Sequence, residues 1–204
     1  MAIRTCFFDM GNVLVYFSHD RMCENIARVC DWDTETTRRF LLDDGRQWKL
    51  ERGEITEEQF HSEFEAATGR AISIDELKHA AADIFWLNES ILPVLRMLSD
   101  SGMRLILLSN TSVTHLRFIE AHFDVLGFMH DRVTSWEVGA LKPEPEIFEA
   151  ALARAQCSPG ECFYTDDIQA YIDQATTMGI NARLYTDTPN LIQDLTNLGV
   201  TLDS

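Results

Sequence analysis

The chain is predicted to be an α/β protein: a parallel sheet with helices on both faces, and a block of helices inserted after the first strand. Three observations carry this. From Glu89 onward, short apolar runs alternate with segments of helical period, the pattern of right-handed βαβ units. Residues 16–88 show helical spacing and two capping-box patterns, with no stretch of period-two alternation. Near the N-terminus, the apolar run Cys6-Phe7-Phe8 ends in a lone carboxylate, Asp9; the Gly11-Asn12 turn follows, then a second apolar run, Val13-Leu14-Val15. A strand of this kind places Asp9 at its C-terminal end, where open parallel sheets bind their ligands.

The first strand is followed by helical spacing over His19 to Cys30, with Met22, Ile26, Ala27 and Cys30 on one face and Asp20 expected as the N-cap. Trp32 to Leu42 is read as a second helix, opened by Asp33 or Thr34. Thr56-Glu57-Glu58-Gln59 fits a capping box and opens a helix that stops at Gly69; Ser73-Ile74-Asp75-Glu76 fits another. Helices are then expected over Ile91–Leu98, Val113–His122, Glu144–Ala155 (with Pro143 at its mouth), Ile168–Met178 and Ile192–Leu198. The intervening strands are Arg104–Leu108, Arg132–Thr134, Cys162–Thr165 and Ala182–Tyr185. The expected division is a core of residues 1–15 and 89–204 and a helical unit of residues 16–88, with Gly53, Gly69 and the Asn88 region as flexible points.

Composition bounds the function. A net charge of -16 opposes nucleic acid and anionic membrane surfaces, so neither is an expected partner. An anionic small substrate needs a local positive site, which a divalent cation and a lysine can supply. No window has the length and apolarity of a membrane span, and Met-Ala-Ile-Arg-Thr-Cys carries no signal-peptide pattern, so a cytoplasmic location is expected. Five cysteines, none in a C-x-x-C pair, argue against a disulfide framework or a structural zinc site. The six histidines form no H-x-x-x-H pair.

Four polar clusters fall at the expected C-terminal ends of strands or beside them: Asp9, Ser109-Asn110, Lys142 before a helix, and Asp166-Asp167. Singly, each is also what a turn or a helix entry looks like. Together they share one sheet edge and can converge. Their order and types resemble the haloacid dehalogenase-like (HAD) hydrolase superfamily. The resemblance rests on Phe7-Phe8-Asp9-Met10-Gly11-Asn12-Val13-Leu14, Leu107-Leu108-Ser109-Asn110, Lys142-Pro143-Glu144-Pro145-Glu146-Ile147-Phe148 and Phe163-Tyr164-Thr165-Asp166-Asp167. Glu51-Arg52-Gly53-Glu54-Ile55, in the helical block, is similar to the sugar-phosphatase-like and epoxide-hydrolase N-domain-like branch.

The resemblance implies a Rossmann-like core with an all-helical cap, and a Mg²⁺-dependent phosphatase acting on a small phosphorylated metabolite such as a sugar phosphate. Asp9 would be the nucleophile that forms an aspartyl-phosphate. Mg²⁺ would be held by Asp9, the Gly11 carbonyl and Asp167, with Asp166 either a water-mediated ligand or a holder of Lys142. Ser109, Asn110 and Lys142 would bind the transferring phosphoryl oxygens. One departure stands out: phosphatases of the superfamily usually carry a second Asp two residues after the nucleophile as general acid and base, and Gly11 stands there. His19 and Asp20 are candidate replacements. The Gly11 departure also keeps open a catalytically weak binding or regulatory protein; a metal-independent 2-haloacid dehalogenase is a further alternative, against which the acidic pair argues. Trp48, near Arg46 and Glu51, is either a substrate-facing residue or packing within the helical block.

Overall fold

The computed structural model describes residues 2–201; residues 1 and 202–204 of the expected core lie outside the described residues. In chain order the elements are β1 (Thr5–Phe8), β2 (Val15–Phe17), α1 (His19–Cys30), α2 (Thr34–Arg38), α3 (Arg46–Glu51), α4 (Glu57–Thr68), α5 (Ile74–Ala82) and β3 (Phe85–Leu87). There follow α6 (Leu92–Asp100), β4 (Arg104–Ser109), α7 (Val113–His122), β5 (Asp131–Thr134), α8 (Ser135–Val138), α9 (Pro145–Arg154), β6 (Cys162–Asp166), α10 (Gln169–Thr177), β7 (Asn181–Leu184) and α11 (Thr188–Asn197). The sheet is five-stranded, in the order β5-β4-β1-β6-β7, and every pairing in it is parallel. β1 is central, with Phe8 opposite Leu107 on one side and Thr165 on the other, so Asp9 emerges between the ends of β4 and β6.

Strand alternation sorts the core. Phe8, Leu105, Leu107 and Phe163 pack on one face of the sheet, in an apolar cluster that continues through Val13 and Leu14 to Met22, Ile26, Leu41, Phe64 and Leu77 of the helical block. Phe7, Ile106, Leu108, Cys162 and Tyr164 pack on the other face, against Ile147, Phe148 and Ala151 of α9 and Ile172 of α10. Near-continuous apolar strands are what a sheet covered on both faces requires.

The helical block differs from expectation at its ends. Val15–Phe17 and Phe85–Leu87 pair as an antiparallel ribbon, β2 with β3. Strands of three residues are too short to show a period of two, so the ribbon leaves no sequence signal. The N-cap of α1 is Ser18, whose Oγ accepts from Arg21 N at 3.1 Å; Asp20 sits exposed in the first turn and pairs with Arg38. Asp33 caps α2, and the chain then widens into a π-helical turn over Arg39–Asp43. The Thr56/Gln59 capping box and the Gly69 stop of α4 form as expected. At α9 the first-turn proline is Pro145; Pro143 lies before the cap, after a cis peptide bond from Lys142. Among the described residues, no helix is long and apolar enough to cross a membrane.

The two expected flexible points nearest the sheet are tightly held. Asn88 is buried, and its Nδ2 donates to the Val13 carbonyl at 2.7 Å and to Tyr185 Oη at 2.8 Å. Gly53 has φ +74°, and a β-carbon there would stand 2.8 Å from the carbonyl oxygen of Trp136 in α8. Any side chain at position 53 both strains the backbone and pushes α3 off the core. Gly53→Ala is therefore expected to lower stability by about 2 kcal/mol, a fall in Tm of roughly 4–8 °C read by thermal unfolding.

Candidate active site

Lys142 is the centre of the site. It is 3% exposed, and its ammonium donates to Asp9 Oδ1 at 2.7 Å, Asp166 Oδ2 at 2.5 Å and the Leu108 carbonyl at 3.0 Å. All three N–H groups are thus matched. Burial disfavours the charge, but the carboxylates of Asp166 and Asp9 more than offset it and hold the lysine above its ordinary pKa. The backbone is braced as well: Lys142 N donates to Asn110 Oδ1 at 2.8 Å, and Asn110 Nδ2 donates back to the Lys142 carbonyl at 3.2 Å. Asn110, at the end of β4, thereby ties the entry of α9 to the sheet edge.

The acidic pair divides its work. Asp166 is fully buried; Oδ2 accepts from Lys142 and from Tyr164 Oη, and Oδ1 accepts from Ile168 N at 2.9 Å. Both of its oxygens are thus taken up by protein donors, Lys142 among them. Asp167 is half-buried, accepts one bond from Asn12 Nδ2 at 2.9 Å, and lines the cavity. Burial raises its pKa, with Asn12 partly offsetting and Asp166 adding to the rise. One oxygen each from Asp9, Asp166 and Asp167 can be chosen so that all lie within 4.8 Å of one another. For Asp9, burial is the largest cause of a pKa pushed up to about 7; Lys142 lowers it and Asp166 raises it.

These side chains open into a cavity of about 190 Å³ between the sheet edge and the helical block, lined by Asp9, Gly11, Ser109, Asn110, Lys142, Asp167 and others. The structure thus brings together Asp9, Gly11, Ser109, Asn110, Lys142 and Asp167 at the cavity, with Asp166 beside Asp9 and Asp167 but outside the lining. His19 also lines the cavity, while Asp20 does not. Gly11 has a local reason: a β-carbon there would stand 2.8 Å from Phe17 Cε1, so the Phe17 ring of the ribbon covers the position.

Sequence reasoning left the role of Glu51 unread. This last residue of α3 lines the same cavity and is 6% exposed. Its Oε1 accepts from Gln47 Nε2 at 2.8 Å. Burial raises its carboxyl to about 7, against the lowering effect of Gln47 and Lys142. α3 is a single short helix without a side-chain cap, so only the tertiary structure shows where Glu51 goes.

With the geometry in hand, comparison with known proteins decides the family. The profile of the haloacid dehalogenase-like hydrolases matches residues 3–173. The chain belongs to that family of hydrolases. It is 25% identical over 187 residues to the D-ribitol-5-phosphate phosphatase of Bacteroides thetaiotaomicron, covering 87% of this chain and 89% of that one. It is also 25% identical to the phosphatase MT3486 of Mycobacterium tuberculosis, over 100% of this chain and 98% of the relative. Among solved structures, a HAD family enzyme of Bacteroides thetaiotaomicron, in complex with magnesium and inorganic phosphate, superposes with a TM-score of 0.82 at 26% identity, covering 93% of this chain and 99% of that one.

The buried Glu51 generates a pH prediction. An acid whose folded pKa, about 7, lies above its ordinary 4.5 binds more protons folded than unfolded between those values, so it costs stability as pH rises from 4.5 to 7. Glu51→Gln removes that cost. Relative to wild type, the metal-free variant should gain on the order of 1–3 kcal/mol on going from pH 4.5 to pH 7.5, read by urea unfolding at the two pH values.

Proposed function

We propose that this HAD hydrolase is a Mg²⁺-dependent phosphatase that hydrolyses a small phosphorylated metabolite, a sugar or alditol phosphate, through an aspartyl-phosphate on Asp9. The observation that carries the reading is the placement of a buried carboxylate, Asp9, against the Lys142 ammonium with Asp167 beside it, in one cavity at the centre of the sheet edge. The relative named for D-ribitol 5-phosphate and the relative solved with magnesium and phosphate support the substrate class and the metal. The cavity volume, about 190 Å³, suits a small leaving group.

The donor set fits the cation. Three carboxylates face one ammonium, leaving negative charge in a mostly buried site, and every candidate ligand is an oxygen, as a hard divalent ion requires. Asp9, the Gly11 carbonyl and Asp167 would hold it, with Asp166 keeping Lys142 in place. When bound, Mg²⁺ supplies charge neutralisation for Asp9 and polarises the phosphoryl group.

The protein's own residues then divide the reaction. An Asp9 oxygen attacks phosphorus, the bond to the leaving oxygen breaks, and the phosphoryl group passes to Asp9. Ser109 Oγ and the Asn110 backbone N–H hold its equatorial oxygens as charge develops, and the Lys142 ammonium, whose three N–H groups are already matched, opposes that charge electrostatically. Water then attacks phosphorus and regenerates the Asp9 carboxylate. Residues 16–88 act as the cap that shapes the leaving-group side of the cavity through Phe17, His19, Trp48 and Glu51, over a core of residues 1–15 and 89–204. A haloacid substrate is disfavoured, because displacement at carbon gains nothing from an added pair of carboxylates beside the nucleophile.

The test is phosphate release from p-nitrophenyl phosphate and a panel of pentitol and sugar phosphates with Mg²⁺. Asp9→Asn is expected to lose on the order of 10³-fold or more in kcat. EDTA should abolish turnover and added Mg²⁺ restore it, with Asp167→Asn shifting the Mg²⁺ requirement upward. Turnover that survives either Asp9→Asn or metal removal overturns the reading.

A further inference from the structure

We propose that Glu51, carried by the helical block, is the general acid and base of the reaction. The inference rests on the phosphatase reading above. An alcohol leaving group needs a proton as its bond to phosphorus breaks, and the water that attacks the aspartyl-phosphate must lose one. Position 11, the nearest place on the β1 turn, holds no proton and is covered by the Phe17 ring. The donor must therefore come from elsewhere in the cavity.

The other titratable groups there are poorly suited. Lys142 has all three N–H groups matched and its charge locked between two carboxylates. His115 is buried, its Nε2 lies 3.2 Å from the Ala81 carbonyl, and burial lowers its pKa to about 4. The His19 ring is packed edge-on between Phe17 at 5.0 Å and Trp48 at 6.2 Å, and the Tyr171 hydroxyl accepts from Asn110 Nδ2 at 3.4 Å. Asp9 and Asp167 are committed to attack and to the cation.

Glu51 has the geometry. Its Oε1 is fixed by Gln47, while Oε2 accepts no protein hydrogen bond among the described residues and is not among the buried unpartnered atoms, which leaves it open to the cavity. Its backbone is anchored to the core rather than to the cap alone. The Glu51 carbonyl accepts from Ser135 Oγ at 2.5 Å, Arg52 Nη1 donates to Glu144 Oε2 at 2.8 Å, and Gly53 lies against the Trp136 carbonyl. Glu51 and Gly53 thus dock on α8, and Arg52 on Glu144, two residues after Lys142. A carboxyl near half-protonation at neutral pH can serve in both directions.

The proton cycle closes. Asp9 forms its bond to phosphorus, the electron pair of the broken P–O bond goes to the leaving oxygen, and that oxygen takes the Glu51 proton. The Glu51 carboxylate then removes a proton from water as the water oxygen bonds to phosphorus. The electron pair of the Asp9–phosphorus ester returns to Asp9, and phosphate leaves with Glu51 protonated again.

The experiment compares wild type and Glu51→Gln, with Mg²⁺, on p-nitrophenyl phosphate, whose leaving group needs no acid, and on an alditol phosphate, whose leaving group does. Glu51→Gln should lose about 10²–10⁴-fold in turnover of the alditol phosphate. On p-nitrophenyl phosphate it should keep a fast burst of one nitrophenol per enzyme, followed by a slow steady state. Acid-quenched enzyme should then carry phosphate on Asp9. Glu51→Asp, which keeps a carboxyl, should recover part of the alditol phosphate turnover and accumulate less phosphoenzyme. Equal slowing of both substrates by Glu51→Gln with no burst, or unchanged turnover of both, overturns the inference while leaving the phosphatase reading intact. A wild type that hydrolyses neither substrate overturns both.

Discussion

The site depends on one buried contact, the Lys142 ammonium held between Asp9 and Asp166 with the Leu108 carbonyl as its third acceptor. These four residues come from the ends of β1, β6 and β4 and from the entry to α9. Removing the ammonium from such a cluster leaves the Asp9 and Asp166 carboxylates buried and uncompensated, at a cost of roughly 3–5 kcal/mol. The same constraint explains the surrounding detail. Tyr164 and the Ile168 N–H take up the remaining capacity of Asp166, and Asn110 grips the Lys142 backbone in both directions. What is left over, the negative charge of Asp9 and Asp167, faces the cavity.

Around that fixed centre, two of the helical block's contacts with the rest of the protein differ in kind. On one side, Glu51-Arg52-Gly53 is locked by a hydroxyl–carbonyl bond, an ion pair and a close backbone approach. On the other, the β2–β3 ribbon rises from the sheet edge with Trp86 47% exposed, and Trp48 is 44% exposed at the rim of the cavity. The Glu51-Arg52-Gly53 segment is thus fixed by three contacts, while Trp48 and Trp86 are exposed. A fixed segment positions the reacting groups, and exposed aromatic side chains leave room for variation in the leaving group.

The catalytic constellation was legible in the sequence because strand ends announce themselves. An apolar run stops at Asp9, another at Ser109-Asn110, another at Asp166-Asp167, and a parallel sheet must bring such ends to one edge. What was hidden depends on contacts between residues far apart in the chain. The ribbon pairs Val15 with Leu87 across a block of five helices. Asp20 looked like a cap, but Ser18 reaches the open N–H first and Asp20 turns outward to Arg38. Gly53 looked like a hinge from its residue type alone, whereas its freedom is used for close approach to Trp136. Glu51 was visible as part of the Glu51-Arg52-Gly53-Glu54-Ile55 motif, but nothing local shows its burial in the cavity, which depends on contacts with α8.

The ribbon and α3 bear on one another through Gly11. Phe17, on the ribbon that opens the helical block, lies against position 11 and also lines the cavity, so an acid on the β1 turn would require that ring to move. The same block also brings a carboxyl to the cavity, at Glu51. In the proposed mechanism the nucleophile would stay on the sheet, and the proton-handling group would sit on an element that also lines the cavity from the helical block. Under that arrangement, proton delivery requires α3 to be seated, because the bonds that place Glu51 are the bonds that dock α3 on the core. Loss of any one of them, whether the Ser135 hydroxyl, the Glu144 carboxylate or the open face of Gly53, therefore weakens the chemistry as well as the packing.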